Sequence, residues 1–247
     1  AMYIKLEKGL YLIGSGLYGL SNWKDCSVYL ISDGEESALV DAGAGMDDDT
    51  LYKNFLETGN DPLTVRYLLL THAHGDHAGG LRGLKDRFPN AKIVTSAGEA
   101  YLLEKGSDEE LGLTLAKAKG AYPKEYCYRH VKTDITVSEG DELRLGGSCI
   151  RTYIAAGHTL ESVLYLLEKN EKKYLFCGDY IFQRGIIGLI NAPGSTLEGY
   201  RESLPRIQNL PIDALLPGHR EFALNNGERF LKMAADNMKT TALPPVM

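Results

Sequence analysis

Short apolar runs separated by Gly, Asn and Asp clusters fill the first part of the chain, and this pattern predicts β-strands. The predicted strands are residues 3–6, 11–13, 27–31 and 38–40. Residues 48–58 predict an amphipathic helix, because Leu51, Phe55 and Leu56 fall on one face. An almost wholly apolar strand follows at 65–70 and runs directly into a polar loop.

The middle of the chain turns helical before strands return. We predict a helix over 78–88, a strand at 93–95 and a helical insert over about 96–122, split near residues 106–108. Ser107 and Glu110 have the spacing of a capping box. The leucines of the insert are expected to pack in the core: Leu102, Leu103, Leu111, Leu113 and Leu115. The remaining predicted elements are strands at 135–137, 142–145, 150–154, 162–167 and 174–177, and helices at 197–208 and 226–237.

This order of elements predicts an α/β fold in which two β-sheets pack together with helices outside them. Hydrophobic residues make up 44% of the chain and charged residues 24%, which is ample material for a core. Neither a linker nor a low-complexity segment nor a readable repeat interrupts the pattern. We therefore expect a single domain over residues 1–247.

A dense cluster of metal-ligand side chains follows the strand at 65–70. Three of the chain's six histidines, His72, His74 and His77, fall here together with Asp76. His72 and His74 are two residues apart in extended chain, so they project to the same side. Neutral imidazole and carboxylate suit zinc, iron or manganese. The cluster predicts a metal site.

Three later positions repeat the same arrangement, a ligand-type side chain beside a glycine at the end of an apolar run. They are His158 after the strand at 150–154, Asp179 after the strand at 174–177, and His219 after residues 214–216. Strand ends along one edge of a pair of sheets converge on one rim, so we expect these groups to meet the first cluster.

The complete set resembles the metallo-β-lactamase superfamily. The run from His72 to His77 is similar to that family's H-x-H-x-D-H signature, and His158, Asp179 and His219 match its later ligands in order. The segment 39–43, with Asp41, also resembles an early strand end of the family. The resemblance implies an αββα sandwich of two mixed β-sheets flanked by helices, with a dinuclear metal site at one edge.

Carried over residue by residue, the resemblance implies the following ligands. His72, His74 and His158 would bind one ion, Asp76, His77 and His219 the second, and Asp179 would bridge both. We expect two divalent ions, with zinc favoured and iron or manganese as alternatives. Metal-bound hydroxide would then attack the substrate, Asp76 would move protons, and Asp41 would orient a ligand histidine. For Asp41, an ordinary turn residue is an equally good interpretation.

The expected reaction is hydrolysis of a small ester, thioester or lactone. An aspartate at position 179 is typical of the thioesterase-like and lactonase-like members, whereas true β-lactamases of the family usually have Cys or Ser there. Two details differ from the lactonases and from glyoxalase II. Phe182 stands where lactonases have Tyr, and residues 185–194 lack the Arg and Asp of the similar glyoxalase II motif.

Other functions use the same ligand types. A persulfide dioxygenase with one iron is the main alternative, and β-lactamase or phosphodiesterase and nuclease activity are further ones.

The net charge of −6 does not suggest a nucleic-acid partner. The four cysteines show no C-x-x-C spacing and favour reduced thiols. We expect a cytoplasmic, non-membrane protein that acts on a small molecule and has the potential to form a homodimer.

Two segments are candidates to shape or gate the pocket. Residues 15–23 form an aromatic loop, although a plain surface turn with Trp23 buried is the favoured interpretation. The insert at 96–122 suits a lid or a dimer face, but core packing is favoured. His130 has no ligand-type neighbours in the sequence and is expected to be structural or exposed.

Overall fold

The computed structural model describes residues 2–239 and 243–247. It comprises two compact units, Ala1–Thr136 and Val137–Met247, each with one β-sheet of its own. The single domain expected over 1–247 stays a prediction.

The first unit is built on a seven-stranded mixed sheet whose strands lie in sequence order. Its strands are β1 (Ile4–Glu7), β2 (Leu10–Gly14), β3 (Val28–Ser32), β4 (Ser37–Val40), β5 (Val65–Leu69), β6 (Lys92–Thr95) and β7 (Ile135–Thr136). Pairing is antiparallel from β1 to β4 and parallel from β4 to β7. The central parallel strands are largely apolar because both faces of such a strand are covered, and every residue of β5 except Arg66 is buried.

Within residues 2–136 the structure describes five α-helices. They are α1 (Asp48–Glu57), α2 (Gly75–Ala78), α3 (Leu81–Arg87), α4 (Ala97–Lys105) and α5 (Leu113–Ala118). Helix α1 buries Leu51 and Phe55, as predicted, but Leu56 is exposed. The Phe55 ring meets the Phe88 ring edge to face at 4.8 Å, an arrangement that adds about 1 kcal/mol beyond the buried area.

The helix predicted over 78–88 is broken into two at Gly79 and Gly80. A Cβ atom on Gly80 would lie 1.9 Å from the carbonyl oxygen of Ala42, so the chain passes too close to this backbone for any side chain. The short α2 therefore ends where the backbone packs against residues 42–45, and α3 starts afresh. Helix periodicity alone does not reveal such a close approach.

The helical insert differs from its prediction at its second helix. The reciprocal hydrogen bonds of a capping box form between Ser107 and Glu110, at 2.8 and 3.3 Å, but they close a turn. Gly112 then adopts a left-handed conformation with φ of 70°, and α5 begins only at Leu113. Core packing of the leucines is confirmed for three of the five positions: Leu103, Leu111 and Leu113 are buried, Leu102 is partly buried and Leu115 is exposed.

The second unit is built on a five-stranded mixed sheet in the order β12-β11-β10-β9-β8. Its elements are β8 (Glu142–Leu145), β9 (Ser148–Ala155), β10 (Ser162–Lys169), β11 (Lys172–Gly178), α6 (Leu197–Ile207), β12 (Ala214–Pro217) and α7 (Glu228–Met238). Only β11 and β12 run parallel. The two helices cover this sheet through a core in which the rings of Tyr180 and Tyr200 stack at 4.7 Å.

Candidate metal centre

The loop between β5 and α2 gathers the predicted ligands of the first unit. The rings of His72 and His74 lie 4.7 Å apart, and those of His72 and His77 lie 4.1 Å apart. His72 and His77 are fully buried, whereas His74 and Asp76 are partly exposed. The loop turns at Gly75, where α2 starts, so Asp76 and His77 come back beside the extended histidines.

Asp41 fixes the orientation of two of these histidines. Its Oδ2 atom accepts a hydrogen bond from Nδ1 of His77 at 2.8 Å. The hydroxyl of Thr71 donates to the Asp41 carboxylate at 2.9–3.0 Å, and its oxygen lies 3.0 Å from Nδ1 of His72. Because that hydroxyl proton is already donated, Nδ1 of His72 is the donor to Thr71. In both rings the Nδ1 atom therefore carries the proton and Nε2 has a lone pair for a metal ion.

The backbone of Asp41 is itself unusual, since its φ is +62°. Aspartate tolerates this left-handed region better than most residues, but it still costs free energy. A turn residue was the equally weighted interpretation from sequence; the buried carboxylate hydrogen-bonded to Thr71 and His77 favours the orienting role.

Side chains from the helical insert and the segment after it hold the same loop. The buried Glu99 of α4 accepts a hydrogen bond from the backbone N–H of Ala73 at 2.8 Å. The hydroxyl of Tyr122 donates to Oδ1 of Asp76 at 3.0 Å, and burial raises the pKa of this phenol well above its usual value, so it stays a donor. Sequence reasoning missed both residues.

Two further tyrosines bind the backbone of the loop. Tyr126 donates to the carbonyls of Gly75 and Ala44, and Tyr128 donates to the carbonyl of Ala73 at 3.0 Å. The one signal in the sequence was the presence of three tyrosines within seven residues, and all three hydroxyls donate to the loop that carries the predicted ligands. The lid or dimer role weighed for residues 96–122 gains no support from these contacts.

The second unit carries the other three predicted ligands. Nε2 of His219 lies 3.6 Å from Oδ2 of Asp179, and Nε2 of His158 lies 3.9 Å from the same oxygen. Nδ1 of His158 donates to the carbonyl of Gly188 at 2.6 Å, which again directs Nε2 toward the carboxylate. The backbone N–H of Gly218 donates to the carbonyl of Gly178 at 2.8 Å and ties the His219 loop to the end of β11.

These separations suit a shared cation. Two ligand atoms about 2.1 Å from one ion at a tetrahedral angle lie about 3.4 Å apart. The distances from Asp179 to His158 and His219 are close to that value and longer than a hydrogen bond. The donor sets of both units, imidazole nitrogen and carboxylate oxygen, therefore fit divalent metal ions.

The remaining candidates are structural. Among the described residues all four cysteines are free, and burial raises the pKa of the Cys26 thiol to about 12, which leaves it un-ionised. His130 is exposed, with Nδ1 on the carbonyl of Leu103, as expected for a structural residue. Trp23 is 67% exposed, so the interpretation that it is buried is wrong.

Comparison with known proteins identifies the family of the chain. The family model described as the metallo-β-lactamase superfamily matches residues 21–219, which is most of the chain. The chain therefore belongs to the metallo-β-lactamase superfamily. The resemblance seen in the sequence is confirmed.

Two relatives illustrate the range of similar proteins. Hydroxyacylglutathione hydrolase 1 of Vibrio vulnificus is 27% identical over 202 residues, which cover 82% of this chain and 64% of that enzyme. The chain thus spans less than two thirds of that relative. An uncharacterised protein of Bacillus subtilis, YobT, is 32% identical over 215 residues, covering 81% of this chain and 85% of the relative.

Solved structures share the fold. A subclass B3 metallo-β-lactamase of Bradyrhizobium japonicum superposes with a TM-score of 0.72 at 19% identity, covering 96% of this chain and 90% of that one. A Cronobacter sakazakii metallo-β-lactamase with a HARLDQ motif gives 0.70 at 20% identity, covering 89% and 78%. The predicted fold class, two mixed sheets flanked by helices, is confirmed as the metallo-β-lactamase fold.

Among the residues described, no helix combines the length and the apolar character needed to cross a membrane.

Proposed function

We propose that this protein is a hydrolase of small thioesters and related esters or lactones that works with two divalent ions held by seven side chains. The ligands are those predicted from the sequence: His72, His74, Asp76 and His77 from the first unit, and His158, Asp179 and His219 from the second. Zinc is the ion that this donor set favours, with iron and manganese as alternatives.

One observation carries the proposal. Three buried histidines have Nδ1 hydrogen-bonded to an acceptor: His77 to Asp41, His72 to Thr71 and His158 to Gly188. Metal-binding histidines almost always have this second hydrogen bond, because it fixes the tautomer that presents Nε2 to the ion. The three rings follow two strands, β5 and β9, and in each ring the hydrogen bond at Nδ1 leaves Nε2 available to an ion.

The protein's own groups then have defined tasks. Bound divalent ions lower the pKa of water toward neutrality and polarise a substrate carbonyl. Asp76 accepts the proton released when the nucleophile forms and returns it to the leaving group. Tyr122 holds the Asp76 carboxylate in place through its hydroxyl. Oδ2 of Asp179 lies 3.9 Å from Nε2 of His158 and 3.6 Å from Nε2 of His219, which suits its proposed bridging role.

A thioester is the preferred substrate class for two reasons. The chain has an aspartate at position 179, which is typical of the thioesterase-like members of the superfamily. Several relatives are named hydroxyacylglutathione hydrolases. A thiolate is a good leaving group, so its departure needs no second acidic side chain. One carboxylate, Asp76, suffices to accept the proton of the attacking water and to pass it on. We infer a small-molecule substrate and no nucleic-acid partner.

The test is hydrolysis of a panel of thioester, lactone, β-lactam and phosphodiester substrates before and after metal removal. We expect thioester turnover that a chelator abolishes and added zinc restores. Asp76→Asn should lower kcat about 100-fold or more, whereas Asp86→Asn, an exposed aspartate of α3, should match the unchanged protein. Full turnover by metal-free protein, or by Asp76→Asn, would contradict the proposal.

A further inference from the structure

Arg220 is an exposed cation placed directly after the predicted metal ligand His219. No acidic side chain in residues 2–239 or 243–247 forms an ion pair with it. Its guanidinium is therefore available to a negatively charged group of a bound molecule.

The backbone at Arg220 is held in a costly conformation. Its φ is +61°, a left-handed value that glycine or asparagine adopts more easily than arginine. Backbone hydrogen bonds on both sides of Arg220 hold the loop in this conformation. The N–H of Gly218 donates to the carbonyl of Gly178, and Leu215 pairs with Ala223 through two hydrogen bonds of 2.8 and 2.9 Å. Strain of this kind in a non-glycine residue beside a site points to a use for its side chain.

The side chain of Arg220 is also oriented. Its guanidinium carbon lies 5.8 Å from the ring centroid of Phe182, a fully buried residue that follows Asp179 in the same unit. A cation–π contact at this distance restrains the guanidinium while its N–H groups remain available. The planar fork of arginine is suited to bidentate binding of a carboxylate.

We propose that Arg220 is the residue that selects anionic substrates, by binding a carboxylate on the thiol portion or the acyl portion of the thioester. The inference rests on the proposed thioesterase function for the identity of the reaction. It concerns specificity, because the group that Arg220 is proposed to bind is a carboxylate of the substrate and not the carbonyl that is hydrolysed.

A matched pair of substrates tests this selection. One is a hydroxyacyl thioester of glutathione, which carries carboxylates, and the other has the same acyl group on N-acetylcysteamine, which is neutral. Arg220→Gln should raise KM for the glutathione thioester at least about tenfold, since a charged hydrogen bond is lost. It should leave kcat within about twofold and KM for the neutral thioester unchanged.

Three further variants separate the side chain from the backbone. Arg220→Gly relieves the positive φ and should still lose anionic selectivity, while Arg220→Lys should keep part of it. Arg184→Gln is the matched control, because Arg184 is also exposed and has a φ of +64° but does not adjoin a ligand. It should behave like the unchanged protein.

The outcomes distinguish the two proposals. An equal rise in KM for both thioesters, or no change for either, overturns the role of Arg220 while the hydrolase remains. If neither thioester is hydrolysed, the thioesterase proposal fails, and calorimetric binding of glutathione to the metal-loaded protein decides the point. Binding that Arg220→Gln weakens about tenfold supports the inference; unchanged binding, or none to the wild-type protein, overturns it.

Discussion

Oδ2 of Asp41 lies 2.8 Å from Nδ1 of His77, and both side chains are buried. The same carboxylate accepts a hydrogen bond from the hydroxyl of Thr71, and that hydroxyl oxygen accepts one from Nδ1 of His72. One aspartate thus orients two of the proposed ligands. Its strained backbone, φ +62°, is maintained by these hydrogen bonds.

Replacement of Asp41 by asparagine should weaken metal binding without unfolding the protein. Asparagine tolerates the same φ, but its amide oxygen is a poorer acceptor and its NH₂ group cannot accept from His77 or Thr71. We expect metal affinity to fall about 10- to 100-fold, measured by competition with a chromogenic chelator. Asp86→Asn is the control, and equal affinities in the two variants would show that Asp41 serves only the turn.

Tyr122→Phe should act on the metal site through Asp76. The variant removes only the hydroxyl that donates to Oδ1 of Asp76, so the carboxylate gains rotational freedom. We expect metal affinity to fall about tenfold. Tyr126→Phe is the matched control, because its hydroxyl binds the backbone carbonyls of Gly75 and Ala44. Both variants should lose about 1–3 kcal/mol of stability, and identical metal affinities would contradict the positioning role of Tyr122.

Gly188→Ala should disturb two proposed ligands at once. A Cβ atom there would lie 1.7 Å from the carbonyl oxygen of Asp179 and 3.0 Å from Nδ1 of His158. The segment must shift, and the hydrogen bond from His158 to the Gly188 carbonyl is lost with it. We expect metal content to drop to about half or less and stability to fall by about 1–3 kcal/mol. Leu189→Ala, which leaves the backbone in place, should keep its metal.

Asp25 should make the stability of the protein depend on pH. Burial raises the pKa of its carboxyl to about 6, whereas the unfolded chain has about 3.9. The folded state therefore holds a proton that the unfolded state releases, and this contribution is fully present below pH 4 and lost as pH rises through 6. The span is about 3 kcal/mol at most.

Asp25→Asn removes that dependence, because the amide is neutral at every pH. Urea unfolding of both proteins at pH 4.5 and pH 7.5 should show the variant gaining stability relative to the wild type as pH rises. Comparing the two at each pH cancels the effect of pH on bound metal. A difference that stays constant between the two pH values would show that Asp25 is ionised in the folded protein throughout that range.

Much of the fold and the proposed ligand set could be predicted because their signals are local. Histidines two residues apart at a strand end, and a glycine beside His158, Asp179 and His219, are visible in a short window of sequence. The strands were predicted within a few residues for the same reason, although β9 and β10 run longer than expected.

The contacts that support those ligands could not be predicted, since they join distant positions. Glu99 reaches Ala73 across 26 residues and Tyr122 reaches Asp76 across 46, and either residue type is common on an ordinary helix or loop. The break at Gly79 and Gly80 likewise depends on the backbone of Ala42, which lies far away in the sequence. Trp23 was misjudged because a large aromatic side chain is usually buried.

The most direct test of the account is the metal content of the purified protein and of Asp179→Ala, measured side by side by elemental analysis. If seven side chains hold two divalent ions, the wild-type protein retains about two equivalents per chain and the variant, lacking the carboxylate that lies within 3.9 Å of both His158 and His219, retains about one or fewer. A wild-type protein that retains no metal after reloading and desalting, or a variant that retains as much as the wild type, would contradict it.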